Sequence, residues 1–259
     1  SLLPYEEIGR LFYEKAILFQ QAFGLNPKEH FNERTFFRAR FNLREDEDPN
    51  LIRTFSYPPP HACKANGRAN LKGKAVFYCA EHAGAAILES KPSPGSKGYM
   101  SVWNGNAIGP VKYGICLSKS LREENLFRQM AVDIDKFVTT ESERFAGDKA
   151  EHFAYFFRFI ADRFVDESEP YPLTSWIANE MLYEGRPKDY IIYPSAAHFH
   201  YSCNLAFHPN SADTLLQFRK VWRFTLISIE GPIIKTTDHQ IGEVNGSRMI
   251  WRKPERGEL

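Results

Sequence analysis

The sequence predicts an α+β fold in which a mixed, mostly antiparallel sheet forms the core and helices surround it. Short segments with strand patterns recur along the 259 residues, and segments with apolar residues at helical spacing lie between them. Strand candidates also follow one another near the C-terminal end. The chain shows no internal repeat, so a solenoid or propeller is not indicated.

An amphipathic helix is predicted first, over "PYEEIGRLFYEKAILFQQAFG". Pro4 suits the first turn of a helix and Gly24 suits its end. The apolar positions between them recur at helical spacing: Ile8, Leu11, Phe12, Phe19 and Phe23.

The next segment, "RTFFRARF" at 34–41, alternates large apolar with charged residues, which is typical of a half-buried strand. This period places Arg38 and Arg40 on one face. An acidic cluster and three consecutive prolines follow over 42–66, so a long irregular loop is predicted there.

The middle of the chain predicts a strand at "KAVFYC", a helix at "AEHAGAAILES", and strands at "YMSVWNG" and "VKYGICLS". Helices are expected near 120–134 and 149–165, and the second carries an apolar stripe typical of core packing: Phe153, Phe156, Phe157 and Ile160. A further helix is predicted at 171–185.

The C-terminal part reads as strands at "DYIIYPS", "SCNLAFH", "WRFTLISIEG", "PIIKTT" and "SRMIWRK". The segment "IGEVNGSRMIW" predicts a hairpin around Asn245 and Gly246.

Composition predicts one large domain over 1–259, because 43% of the residues are hydrophobic and 14% are aromatic. The net charge of +1 gives no global field for nucleic acid or an anionic membrane. No apolar run is long enough to span a bilayer, and the first residues are acidic where a signal peptide is basic, so we expect a cytoplasmic protein. The cysteines form no CxxC pair and favour buried thiols in a reducing compartment: Cys63, Cys79, Cys116 and Cys203.

Several common site motifs are not supported. Five residues separate Gly67 from Gly73 and Ala75 follows Lys74, so the phosphate-loop pattern fails, and no G-x-G-x-x-G or G-x-S-x-G occurs. A zinc site is disfavoured because the apolar surroundings of one candidate ligand suit an inert thiol; the candidates are His61, Cys63, Cys79 and His82.

The stretch "GRANLKGKAVFYCAEHAGAAILE" combines residues that suit cleavage of an N-glycosidic bond. On a helix over 80–90, His82, Ala85, Ala86 and Glu89 share one face, and the small side chains would floor a groove that ends at Glu89. Arg68 is suited to phosphate oxygens, Tyr78 offers a flat face and a hydroxyl, and Glu89 is suited to a developing oxocarbenium cation. Each residue taken singly also suits an ordinary structural role.

These residues resemble the core motif of RES-domain proteins, in "GRAN...AVFYCAEHAGAAILES". "FFRAR" resembles the family's first strand, and "YPLTSWIANEMLYEG...DYIIYPSAAHFHYSCNLAFHP" resembles its second half, with a serine at Ser195 and an asparagine at Asn204. The resemblance spans about residues 34–209. It leaves the N-terminal helix, the 42–66 loop, an insertion at about 105–168 and the C-terminal strands as additions to a minimal domain.

The resemblance implies an ADP-ribosyltransferase-like fold and cleavage of the nicotinamide–ribose bond of NAD, by phosphorolysis or hydrolysis. It makes Arg68, Tyr78, Glu89 and Ser195 the catalytic candidates, with Arg38 and Asn204 in binding. No metal is implied, no cofactor beyond NAD as substrate, and inorganic phosphate is the candidate co-substrate. Many members are bacterial toxins neutralised by a helix-turn-helix antitoxin, which implies that kind of partner; a homo-oligomer stays open.

Two alternatives remain at this point. A mono-ADP-ribosyltransferase acting on a macromolecule can carry E-x-E, and Glu141 and Glu143 have that spacing in "TTESER", although a charged helix turn explains them as well. A catalytically silent module that binds a nucleotide or a protein is the other alternative. Release of nicotinamide distinguishes an enzyme from the silent module, and transfer of labelled ADP-ribose identifies the transferase.

Overall fold

The computed structural model describes residues 7, 23–142, 148–184, 187–246 and 248–258. Of residues 141, 142 and 148–154 only the backbone is described. Within this part of the chain no helix is long and apolar enough to cross a membrane.

A single ten-stranded sheet organises the described residues. Its strands are β1 (Phe23–Asn26), β2 (Thr35–Phe41), β3 (Phe77–Ala80), β4 (Lys97–Gly105), β5 (Val111–Ile115), β6 (Tyr190–Pro194), β7 (Cys203–Phe207), β8 (Leu216–Glu230), β9 (Ile233–Asn245) and β10 (Arg248–Arg252). The strand order is β1-β5-β6-β7-β3-β2-β4-β8-β9-β10. Only the β5–β6 pair is parallel among them, which confirms the predicted α+β class with a mixed, mostly antiparallel sheet.

Six helices accompany the sheet in the described segments: α1 (Lys28–Asn32), α2 (Ala83–Glu89), α3 (Arg128–Ser142), α4 (Asp148–Asp166), α5 (Pro172–Leu182) and α6 (Pro209–Leu215). Pro172 opens α5 and Pro209 opens α6, because proline fits the first turn, where its missing N–H is not needed. Within the predicted 42–66 loop, two short 3-10 turns form at Ile52–Phe55 and Pro60–Ala62.

The core lies on both sides of the central strands. One cluster is aromatic, with Phe36, Phe77 and Phe207 packed edge to face at centroid distances of 5.5 and 6.3 Å. A second cluster joins α4 and α5 to the sheet through Phe164, Trp176 and Ile191, each at most 1% exposed. The predicted stripe on α4 is confirmed as core for Phe156 and Ile160, which pack in this cluster, and for Phe157, which packs with Val138 between α3 and α4.

Several predicted elements are confirmed with shifted ends. The hairpin at Asn245 and Gly246 joins β9 to β10, with Asn245 opposite Arg248 and Gly246 at φ 64°. The helix expected near 120–134 begins only at Arg128, because a hydrogen-bonded turn around Asn125 precedes it.

The predicted N-terminal helix lies mostly outside the described residues, although Glu7 is helical. Its predicted end is wrong: Phe23 and Gly24 form β1, which pairs with β5. A side chain at Gly24 would collide with the ring of Tyr113 on that strand, so the glycine allows close strand packing and does not end a helix.

Candidate active site

A cleft of about 380 Å³ opens beside β2, β3 and β7, next to α2. Five of the six residues proposed from the sequence line it: Arg38, Arg68, Tyr78, Glu89 and Asn204. The sixth, Ser195, is fully buried and reaches the cleft through its contact with Glu89. The fold therefore brings together residues from positions 38 to 204 of the chain.

Helix α2 carries Glu89 to the cleft. The helix starts directly after β3, with His82 as its N-cap residue, and Glu89 is its last residue. Ala85 and Ala86 are buried, so α2 packs closely on the sheet. Of the predicted groove floor, Ala86 lines the cleft, whereas Ala85 packs in the core cluster beneath α2.

Two neutral side chains hold the carboxylate of Glu89. Ser195 Oγ donates to Glu89 Oε1 at 2.6 Å, and Asn204 Nδ2 donates to the same oxygen at 2.7 Å. Oε2 has no hydrogen-bond partner within the described part of the chain, and the side chain is exposed. The carboxylate of this lining residue is thus held at one oxygen, and the other is left without a partner in this part of the chain.

Sheet register explains why these partners meet. On β7, Asn204 lies opposite Ala80 of β3 on one side and opposite Tyr193 of β6 on the other. Ser195 follows β6 directly, and its backbone N–H donates to Ser202 O at 3.0 Å. These contacts place Ser195 and Asn204 beside the last residue of α2, Glu89.

The turn at 196–201 holds the Ser195 hydroxyl in place. The backbone N–H of His198 donates to Ser195 Oγ at 3.1 Å, and His198 Nδ1 lies 2.9 Å from Ser202 Oγ. Phe199 and His200 have φ of 50° and 64°, a left-handed conformation that costs energy for residues with a side chain. The turn is thus strained where it supports the candidate site.

Arg38 forms part of the cleft from β2. Its Nε donates to Ser56 O at 3.2 Å, another guanidinium nitrogen donates to Tyr78 O at 3.0 Å, and the group lies 5.6 Å from the centre of the Phe77 ring. Burial, and then the nearby charge of Arg40, lower the pKa of Arg38 to about 10. Arg38 is therefore still a cation at neutral pH.

Arg68 approaches the cleft from the loop before β3. Its guanidinium donates to Phe164 O at 2.9 Å, near the end of α4, and lies 4.8 Å from the centre of the Tyr171 ring. Tyr78 lies beside it, and burial raises the pKa of its phenol well above the ordinary value, so the hydroxyl stays protonated.

Neither arginine of the cleft is paired with an acidic side chain. Across the described residues, no carboxylate lies within ion-pair distance of Arg38 or Arg68. Backbone carbonyls orient the two guanidinium groups, but they do not cancel the charges. A cleft lined by two such cations is suited to an anionic ligand.

Lys91 and Tyr171 are among the lining residues that the sequence interpretation missed. Both have left-handed backbone conformations, at φ 46° and 54°, and Lys91 Nζ lies 3.8 Å from Glu169 Oε1 across exposed surface. Tyr171 precedes Pro172, which predicts a helix boundary at that position but says nothing of a cleft. Only the fold shows that the start of α5 meets the loop of Arg68.

The disfavoured sites have simple structural descriptions. Burial raises the pKa of the Cys79 thiol well above its ordinary value, as expected for an inert cysteine. Of the E-x-E pair, Glu141 lies at the end of α3 and Glu143 lies outside the described residues.

Fold and site together define an α+β protein with an open cleft whose lining includes a fixed carboxylate and two guanidinium groups without acidic partners. The RES domain matches residues 35–227, which contain every residue proposed for the site. The chain belongs to the RES-domain family. No curated protein matches it.

Proposed function

We propose that the protein cleaves the nicotinamide–ribose bond of NAD. The observation that carries this proposal is the carboxylate of Glu89, held by Ser195 and Asn204 in a cleft whose arginines lack acidic partners. The cations suit the pyrophosphate of a dinucleotide, and the carboxylate suits a sugar cation.

In the proposed reaction, the bond between ribose C1′ and the pyridinium nitrogen breaks, and its electron pair goes to nicotinamide. The positive charge passes to the ribose as an oxocarbenium ion, which Glu89 stabilises with its open oxygen. An acceptor oxygen then bonds to C1′ from water or phosphate, and with water a proton is released. Leaving groups of this kind need no activated nucleophile, so fixed charges supply the acceleration.

The first experiment incubates the chain with NAD, with and without inorganic phosphate, and identifies the products by mass. We expect nicotinamide and either ADP-ribose or its 1-phosphate. Glu89→Gln retains shape and NAD binding but loses the charge, so turnover should fall by about 10²- to 10³-fold. Glu123→Gln changes an exposed carboxylate outside the cleft lining and is the matched control.

Undiminished nicotinamide release by Glu89→Gln would contradict the proposal. Binding of NAD without release by the wild-type chain would instead indicate the silent module. Transfer of labelled ADP-ribose to a macromolecule would identify a transferase.

We also propose, from membership of the RES family, that the chain acts as the toxin of a toxin–antitoxin pair, with a helix-turn-helix protein as its antitoxin. Induced expression in bacteria should deplete NAD and arrest growth, and Glu89→Gln should relieve both effects. Arrest by the Glu89→Gln variant at equal protein level would show that toxicity does not depend on NAD cleavage.

A further inference from the structure

Arg68 lies in a closed backbone turn. The N–H of Gly67 donates to Asn70 O at 2.9 Å, and the N–H of Asn70 donates back to Gly67 O at 3.3 Å. These reciprocal bonds form an isolated antiparallel bridge with Arg68 and Ala69 at its tip. Asn70 is 9% exposed, so its amide is held inside the protein.

The hydroxyl of Tyr78 fastens this turn to β3. It accepts a hydrogen bond from the N–H of Ala69 at 2.8 Å and donates its proton to Asn70 Oδ1 at 2.8 Å. The proton of the phenol is therefore already used, and burial keeps the group neutral. Nδ2 of Asn70 donates to Leu71 O at 3.0 Å, which fixes the orientation of the amide.

The turn has no room for a residue larger than glycine at position 67. A Cβ on Gly67 would collide with the Asn70 side chain and would lie 2.8 Å from the Tyr78 hydroxyl oxygen. Beyond the turn, the side chain of Arg68 is held by Phe164 O and by the ring of Tyr171. Both the backbone and the guanidinium of Arg68 are fixed before any ligand binds.

We infer that Tyr78 and Asn70 are positioning residues that direct Arg68 toward the anionic part of the substrate, and that the Tyr78 phenol transfers no proton in the reaction. The inference rests on the proposed function in taking that anionic part to be the pyrophosphate of a dinucleotide. It predicts that loss of the Tyr78 hydroxyl acts through Arg68 alone.

A double-mutant cycle in ligand affinity tests this dependence. ADP-ribose is the probe, because it carries the pyrophosphate but lacks the bond to be broken, and its affinity is measured by calorimetry. Tyr78→Phe and Asn70→Ala should each weaken binding by roughly three- to tenfold in the wild-type background. In an Arg68→Ala background the same changes should have no further effect.

Two readouts separate positioning from a general structural effect. Tyr78→Phe should raise KM for NAD more than it lowers kcat, because the chemical step keeps its carboxylate. Tyr57→Phe removes a tyrosine hydrogen bond of similar length, 2.7 Å to Asp213 Oδ2, outside the cleft lining, and should leave affinity unchanged. Thermal unfolding of each variant checks that it is folded.

Additive effects of Tyr78→Phe and Arg68→Ala would overturn the inference, as would a loss of kcat with unchanged ADP-ribose affinity. Inorganic pyrophosphate serves as a second probe in the same cycle. If the chain binds pyrophosphate but not ADP-ribose, and Tyr78→Phe and Asn70→Ala weaken pyrophosphate binding only while Arg68 is present, the inference is supported and the proposed function is rejected. Failure of the wild-type chain to bind either probe would reject both.

Discussion

Three arginines near one strand have different partners, and the difference separates structure from candidate function. Arg34 and Arg40 pair with carboxylates, at 2.6 Å to Glu81 and 2.7 Å to Glu47. Arg38 lies between them in the chain, and the acceptors of its hydrogen bonds in the described residues are backbone carbonyls. The protein therefore neutralises the arginines that support the fold and leaves uncancelled the one that lines the cleft.

The carboxylate in the cleft lining, Glu89, is likewise oriented by neutral groups. Glu89 receives neutral donors from Ser195 and Asn204, and no cation neutralises it within the described segments. Neutral dipoles orient Arg38, Arg68 and Glu89, so these three charges remain available to a ligand. A molecule with an anionic group and a developing cation would complement both kinds of charge.

Among changes that keep the charges of the site, the largest expected effect comes from the donors to Glu89. Ser195→Ala removes a hydrogen bond of 2.6 Å to the carboxylate, and kcat for NAD should fall by about 10- to 100-fold because the carboxylate loses its fixed position. Steady-state kinetics measure the change. Ser118→Ala removes a comparable bond to Asp162, 3.0 Å long and outside the site, and should have little effect on kcat.

Equal losses in the Ser195→Ala and Ser118→Ala variants would contradict a local role for the donor. Adding Asn204→Ala to Ser195→Ala should deepen the loss, since both donors hold the same oxygen of Glu89.

A smaller effect should distinguish Arg38 from Arg40. Arg38→Lys keeps a cation but loses the planar fork that matches phosphate, so ADP-ribose affinity should fall about tenfold with little change in thermal stability. Arg40→Lys breaks a two-point pairing with Glu47, at 2.7 and 3.1 Å, and should lower the free energy of unfolding by about 1 kcal/mol with affinity unchanged. Calorimetry and thermal unfolding of both variants measure the two quantities, and the reverse pattern would contradict the comparison.

Much of the sheet could be predicted from sequence because its strands have clear patterns. The alternation at 34–41 predicts β2 and the shared face of Arg38 and Arg40. Both arginines indeed donate to the first 3-10 turn and its C-cap residue, at Thr54 O and Ser56 O. In contrast, β1 was missed because Phe23 and Gly24 also complete a helical pattern, and only pairing with β5 decides between the two. At Phe23 and Gly24 the pairing of β1 with β5 therefore outweighs the local helical pattern.

The site was less predictable than the fold because its contacts join distant segments. Ser195 and Asn204 contact Glu89 although more than a hundred residues separate them from it in the chain. The family resemblance indicated both residues as candidates, whereas their sequence spacing did not. Nothing in the sequence indicates that the C-terminal end of α4, part of the apparent insertion, supplies the carbonyl that holds Arg68. Every residue has a backbone carbonyl oxygen, so the residue type at position 164 does not predict that it accepts a hydrogen bond from Arg68.

The smallest expected effect concerns pH and the turn behind Ser195. The rings of His82 and His198 stack at 4.9 Å, and the charged or titratable groups that influence His198 are His82 and Glu89. Burial, and then His82, hold the pKa of His198 below its ordinary 6.5, while Glu89 acts in the opposite direction. The folded protein therefore takes up this proton later than the unfolded chain does as pH falls.

The contribution of His198 to stability is thus complete above pH 6.5 and is lost as pH falls from there through the lowered pKa. Between pH 7.5 and pH 5, the wild-type melting temperature should fall by about 1 to 2 °C more than that of His198→Gln, which cannot take up the proton. His30→Gln changes an exposed histidine on α1 and should follow the wild type. Identical pH profiles for wild type and His198→Gln would show that protonation of this ring does not strain the turn that holds Ser195 against Glu89.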